Sequence, residues 1–148
     1  MNFSKQALVD DGFEGFISVK DLWRDMTVIP KQMGVYMVIN MESTVEFINP
    51  GVGGFFKGKD PNVDISQLKD KYVDSLVVYI GKAGGSTSGA TLFSRIGQYL
   101  KFGQSKNVGH YGGRYIWQVK NHQNLLFCWK TLNYQEPIVL EKELLSFF

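Results

Sequence analysis

Cysteine is nearly absent from this 148-residue sequence, and so is any apolar run long enough to span a bilayer. The single cysteine, Cys128, cannot form an internal disulfide, and its place in the apolar run 125–129 favours a buried structural thiol over a nucleophile. The first residues lack the basic-then-apolar layout of a signal peptide, because Asp10 and Asp11 stand close to Lys5. We therefore expect a cytoplasmic protein with no membrane partner.

Histidine is also scarce, and neither sign of charge is in large excess. His110 and His122 lie far from any metal-ligand spacing, so we expect both to be loop or strand-edge residues rather than ligands. The net charge of +2 permits a polyanionic partner without requiring one. Apolar residues are plentiful: 44% of the chain is hydrophobic, which predicts one globular domain over residues 1–148 with a sizeable core.

Strand and helix signals alternate along the chain. Ser18 and Asp21 have the spacing of a capping box and predict a short helix through Met26, which Pro30 ends at the latest. Both faces of the strand predicted at Gly34–Ile39 are largely apolar, which is typical of a central strand. The remaining predictions are strands at Leu76–Ile80, Arg114–Val119 and Leu125–Lys130, a loop at Gly84–Gly89, helices at Thr91–Phe102 and from Pro137 onward, and a hairpin turn at Asn121–Asn124.

Two regions lie outside this alternation: an N-terminal extension, residues 1–30, and an insertion, Met41–Ser75, far longer than a hairpin connection needs. Residues 53–60 nearly match a phosphate-binding loop, but Asp60 replaces the hydroxyl that would bind magnesium and Pro61 follows where a helix should begin. We therefore expect no nucleotide cofactor. Two interpretations stay open for the aromatic and basic residues of the insertion, contact with nucleic acid or packing onto the core: Phe55, Phe56, Lys57 and Lys59.

A carboxylate stands inside the apolar arc of the last predicted helix. On a helical wheel the arc consists of Leu140, Leu144, Leu145 and Phe148. Glu141 falls within it, whereas Glu143 points to the solvated side. An ionised carboxylate in such a place must be paired, neutralised or bound to a metal, because burying it alone costs several kcal/mol. A structural salt bridge and a metal site both satisfy this requirement.

Arg95 occupies a border position on the helix predicted from Thr91. It lies four residues before Tyr99, so both side chains project from one edge of the amphipathic stripe. A guanidinium there suits a cleft, because its planar fork donates two charge-assisted hydrogen bonds to a phosphate; the alternative is an arginine that lies along its own helix. Tyr36 and Tyr79, taken singly, are more often core residues whose hydroxyl finds one partner.

These residues follow an order that resembles the GIY-YIG nuclease family. The set, in chain order, is Gly34-Val35-Tyr36, Tyr79-Ile80-Gly81, Arg95, Tyr99 and Glu141. Two departures are a valine in place of the first isoleucine and an unusually long insertion between the two motif strands. The resemblance implies an α+β fold in which helices flank a small central sheet of mostly antiparallel strands.

In that family the two tyrosines, the arginine and the glutamate form one metal-dependent site that cuts a phosphodiester bond. The resemblance therefore implies that Glu141 holds Mg²⁺ or Mn²⁺, and that Tyr36 or Tyr79 orients or deprotonates the attacking water. Arg95 would stabilise charge on the phosphoryl oxygens. Lys82, which follows the second motif, would contact phosphate or tune a tyrosine.

The implied function is a metal-dependent endonuclease acting on DNA. Besides the four catalytic candidates, five residues are expected to contact the substrate: Lys57, Lys59, Lys82, Tyr99 and Arg114. Sequence-specific cutting would need the insertion or a homodimer. The alternative from another class is a non-catalytic nucleic-acid-binding module on the same fold, with contacts from Lys57, Lys59, Lys101, Lys106 and Arg114. Glu141 favours the enzyme, since binding a polyanion gains nothing from a buried acid.

Overall fold

The computed structural model describes residues 4–41, 76–103 and 122–147. In these ranges the elements are α1 (Lys5–Asp10), β1 (Glu14–Ser18), α2 (Val19–Arg24), β2 (Gly34–Ile39), β3 (Val77–Ala83), α3 (Leu92–Gly103), β4 (Leu126–Thr131) and α4 (Pro137–Leu145), with 3₁₀ turns at Met26–Val28 and His122–Asn124. The α+β class is therefore as expected. Two predicted segments lie outside the described residues, the insertion after Met41 and the strand Arg114–Val119. The same is true of seven residues named above: Phe55, Phe56, Lys57, Lys59, Lys106, His110 and Arg114.

The four described strands form one antiparallel sheet in the order β1-β4-β2-β3. β2 pairs with β4 on one side and β3 on the other, and all six of its residues are buried. This confirms the central strand that apolar residues on both faces predicted. β3, in contrast, continues beyond its predicted end at Ile80 through Ala83, because its last three residues pair with the first three of β2.

The segment predicted as an N-terminal extension contributes to this sheet and its core. β1 pairs with β4 at the end of the sheet opposite β3. Leu8 of α1 and Phe13 are 0% and 2% exposed. Ser18 caps α2 as the sequence predicted, since its Oγ accepts a hydrogen bond from the Asp21 N–H at 3.1 Å. Residues of the extension are thus part of the fold's interior.

Each face of the sheet carries its own core cluster. The tyrosine face, as we name the side covered by α2 and α3, includes Tyr36, Val38, Leu92, Ile96, Tyr99, Phe127 and Trp129. The α4 face, covered by α1 and α4, includes Leu8, Val35, Met37, Cys128, Leu140 and Leu144. Burial raises the pKa of the Cys128 thiol to about 12, in keeping with the predicted structural role.

The segment expected as a hairpin turn contains a 3₁₀ turn, His122–Asn124, and Asn121 lies outside the described residues. His122, expected in a loop or at a strand edge, lies in this turn and is only 8% exposed. The turn packs against α2, which lies far away in sequence, so its burial is a tertiary effect. No helix in the described ranges is long and apolar enough to cross a membrane.

Candidate active site

The two motif segments meet in the sheet as a tyrosine–glycine pair. Tyr36 on β2 lies opposite Gly81 on β3, and a Cβ on this glycine would collide with the Tyr36 ring. Gly34 is similarly constrained, because a Cβ there would collide with the backbone oxygen of Lys130 on β4. The glycines of both motifs therefore allow close packing, and Gly81 makes room for the ring of Tyr36.

Tyr36 and Tyr79 lie side by side on the tyrosine face, with ring centroids 6.1 Å apart. Tyr36 is only 1% exposed and Tyr79 is half-buried. Burial raises the pKa of Tyr36 well above its usual value, the neighbouring Tyr79 adds to this shift, and Arg95 partly offsets it. A hydrogen bond between the two side chains raises the pKa of Tyr36 and lowers that of Tyr79, as when Tyr36 donates and Tyr79 accepts. Burial still leaves the pKa of Tyr79 raised.

Arg95 is held near the first turn of α3. Thr91 and Ser94 cap this helix reciprocally, with the Ser94 N–H donating to Thr91 Oγ1 at 3.1 Å and the Thr91 N–H donating to Ser94 Oγ at 2.9 Å. Arg95 itself is half-buried, and its Nη1 donates to Gln98 Oε1 at 2.8 Å. Its guanidinium thus contacts its own helix, one of the two predicted alternatives, and it also lines the cleft described below.

Lys82 and Glu141 approach from the α4 side of β3. Burial raises the pKa of Glu141, and the positive charge of Lys82 partly offsets that effect. The expected apolar arc on α4 is narrower than predicted, because Leu140 and Leu144 are buried while Leu145 is 47% exposed. Glu141 consequently lies half-buried at the border of the arc rather than inside it.

One cleft of about 350 Å³ brings these residues together. Its lining comes from β2, β3, the following loop, α3 and α4: Tyr36, Tyr79, Gly81, Lys82, Gly84, Ser88, Ala90, Arg95 and Glu141. All four predicted catalytic residues are in this set, together with Lys82. The cleft thus combines two phenols, a guanidinium, an ammonium and a carboxylate, a combination suited to an anionic substrate and to proton transfer.

The loop after β3 forms part of the cleft, and Glu136 holds it. The Ser86 N–H donates to both oxygens of Glu136, at 3.0 and 3.1 Å. Gly84 and Gly85 have φ values of 85° and 143°, which favour glycine. Sequence reasoning passed over Glu136. Its signal was a glutamate directly before Pro137, at a helix N-cap where Ser, Thr, Asp or Asn is usual.

Tyr99 lies beneath the cleft rather than in its wall. Its side chain is 0% exposed, and its ring centroid lies 5.2 Å from that of Tyr79 and 6.4 Å from that of Tyr36. Burial raises its pKa well above the usual value. Packing beneath the two tyrosines fits this place better than the predicted contact with substrate. Three other predicted contacts, Lys57, Lys59 and Arg114, lie outside the described residues.

A metal ion at this cleft would have one carboxylate ligand from the described chain. No group of three or more His, Cys, Asp and Glu side chains in ranges 4–41, 76–103 and 122–147 is arranged to hold a metal. Glu141 is the one carboxylate among the described lining residues. The nearby carboxylate of Glu136 is not in the lining and accepts the Ser86 N–H. One carboxylate suits Mg²⁺, which retains several waters and completes its shell with substrate phosphate.

Comparisons with known proteins found no relatives. The sequence matches no protein-family model and no curated protein, and the structure matches no solved structure. The resemblance to GIY-YIG nucleases therefore rests on the motif residues themselves.

Proposed function

We propose that this protein is a divalent-metal-dependent endonuclease that hydrolyses phosphodiester bonds in DNA. The observation that carries the proposal is the single cleft lined by Tyr36, Tyr79, Arg95 and Glu141. These four residues come from β2, β3, α3 and α4, which are far apart in the sequence. Lys82 lines the same cleft. A core made for stability alone has no need to gather five such groups at one opening.

Arg95 and Lys82 bind and orient the phosphate. The guanidinium of Arg95 is fixed by Gln98 on the same helix, so it enters the reaction already positioned. Its remaining N–H groups donate to the phosphoryl oxygens as their charge grows in the transition state. Lys82 is exposed on β3, where its ammonium reaches an incoming strand without being desolvated.

Tyr79 is the better placed of the two tyrosines to accept a proton from water. It is half-buried, whereas Tyr36 is 1% exposed. Burial raises the pKa of Tyr79, and the hydrogen bond from Tyr36 and the positive charge of Arg95 partly offset this rise. Tyr79 therefore acts as the base in its phenolate form, after a cation in the cleft has lowered its pKa. In this assignment Tyr36 orients Tyr79 and stabilises the charge that develops on its oxygen. Tyr99 packs below both rings and restricts their movement.

Glu141 is the residue that holds the divalent ion, Mg²⁺ or Mn²⁺. When bound, such an ion supplies positive charge that polarises the phosphate and stabilises the leaving oxygen. The raised pKa of Glu141 adds to this assignment, because a cation relieves the cost of an ionised carboxylate that burial disfavours. With one such set of catalytic candidates in the described part of each chain, cutting both strands of a duplex would require a homodimer or two successive events.

The test is cleavage by the purified chain of single-stranded, duplex, flap and junction DNAs with Mg²⁺, with Mn²⁺ and with a chelator. Glu141→Gln should abolish metal-dependent cleavage while leaving the protein folded. Glu143→Gln, an exposed carboxylate on the same helix, is the matched control and should cut like the wild type. DNA binding without cleavage in any metal would instead support a non-catalytic nucleic-acid-binding module.

A further inference from the structure

Glu136 connects the two segments that flank the cleft opening. It is the residue before the first turn of α4, and Glu141 lies further along the same helix. Its carboxylate accepts the Ser86 N–H through both oxygens, at 3.0 and 3.1 Å. Ser86 lies in the loop that joins β3, which carries Lys82, to α3, which carries Arg95. One carboxylate thus joins the start of α4 to the loop between β3 and α3.

The loop has little packing of its own to hold it. Ser86 and the next three residues are all exposed. Two hydrogen bonds are seen inside the described loop, from the Ser88 N–H to the Gly85 carbonyl at 3.4 Å and from the Ala90 N–H to Ser88 Oγ at 3.2 Å, and neither involves Ser86. Gly84 and Ser88 nevertheless line the cleft, so the position of this loop decides the shape of the opening. A charge-assisted hydrogen bond from outside the loop is therefore a strong influence on it.

A side-chain capping bond to α4 does not explain the identity of residue 136. An N-cap side chain ordinarily accepts a hydrogen bond from the first turn of its own helix. Glu136 makes no such bond and directs its carboxylate to the loop instead. Gly85 is matched to this contact, because a Cβ there would lie 2.7 Å from Glu136 Oε2.

We propose that Glu136 is a positioning residue that holds the loop Gly84–Gly89 against the start of α4, and so keeps Gly84 and Ser88 in the wall of the cleft. The effect on catalysis rests on the proposed nuclease function. The effect on the loop does not depend on it, so the two can be measured separately. Without this contact the loop moves away from α4, and the part of the cleft wall that Gly84 and Ser88 form loses its fixed shape.

The experiment uses the full chain with Glu136→Ala, Glu136→Gln and the control Glu143→Ala. Amide hydrogen exchange followed by mass spectrometry measures the loop in the free protein. For Glu136→Ala we expect faster exchange confined to residues 84–90, with kcat lowered roughly 10- to 100-fold and KM changed by less than about threefold, as for misplaced reacting groups. Glu136→Gln retains one acceptor oxygen and should restore kcat to within about fivefold. Glu143→Ala should match the wild type in both measurements.

Unchanged loop exchange in Glu136→Ala would overturn the proposal. Faster exchange across the whole chain, or no rescue by Glu136→Gln, would also overturn it by showing a general structural role. If the wild-type chain cuts no nucleic acid, the nuclease function fails, and loop exchange still decides whether Glu136 holds the loop.

Discussion

The two faces of the sheet contribute to the cleft in different ways. On the tyrosine face, core and site share a residue: Tyr36 is among the largest fully buried side chains, yet it also lines the cleft. On the α4 face they are separate, because Leu140 and Leu144 form the core while Glu141 lines the cleft beside them. Substitution of the buried Tyr36 should therefore disturb fold and function together, whereas substitutions on the α4 face should change one without the other.

The largest expected effect is the loss of stability in Tyr36→Ala. Truncating a fully buried aromatic side chain costs about 3–5 kcal/mol, so this variant should unfold at much lower urea as well as lose activity. Tyr134→Ala is the matched control, because Tyr134 is 98% exposed and its loss should change stability by less than about 0.5 kcal/mol. A fully stable Tyr36→Ala would break the comparison, since Tyr36 would then serve the site alone.

Arg95→Ala should separate catalysis from stability on the helix that covers the tyrosine face. Losing one pre-positioned donor lowers the cleavage rate roughly 100-fold, while DNA affinity falls only slightly and the melting temperature stays near that of the wild type. Arg24→Ala, at a side chain that is 71% exposed on α2, should leave the rate unchanged. Single-turnover cleavage together with a binding titration measures both quantities. A fall in affinity equal to the fall in rate would make Arg95 an ordinary phosphate anchor.

Gly81→Ala tests the contact between the two motif strands. The added methyl meets the Tyr36 ring, and overpacking of this kind costs about 1–3 kcal/mol. Gly97→Ala provides the control, because its added Cβ meets no described atom within 4 Å apart from its chain neighbours and the backbone of its own helix. Alanine in a helix is favoured over glycine by up to about 1 kcal/mol. Urea titrations of both variants should give opposite signs. A Gly81→Ala variant as stable as the wild type would mean that the Tyr36 ring moves aside at no cost.

The smallest effect is a pH-dependent gain in stability for Glu141→Gln. Burial raises the pKa of Glu141 above its usual 4.5, so the ionised form is disfavoured in the folded protein. The free-energy cost of ionising Glu141 in the folded protein is absent below the pKa of Glu141 in the unfolded chain. It develops as pH rises and is complete above the pKa of Glu141 in the folded protein. Glu141→Gln should therefore be slightly more stable than the wild type at neutral pH and equal to it at about pH 3. Thermal melts at both pH values, with Glu143→Gln as control, measure this; a gain that persists at low pH would exclude ionisation as its cause.

Local chemistry made several elements predictable from the sequence. The Ser18 cap of α2, the doubly buried strand Gly34–Ile39 and the helix that begins at Pro137 depend on residues close together in the chain. The order of the motifs predicts four residues of the cleft lining: Tyr36, Tyr79, Arg95 and Glu141.

Tertiary structure decided what depends on residues far apart in sequence. Gly81 lies against the Tyr36 ring because the register of β2 and β3 places them opposite each other. Glu136 reaches Ser86 across 50 positions of the chain, a contact that no local pattern encodes. Tyr99 is fully buried rather than at a border because the tyrosine face surrounds it. Short-range propensities thus define the helices and strands, and the order of the motifs predicts the candidate site residues. Strand register and packing determine which side chains meet and which reach solvent.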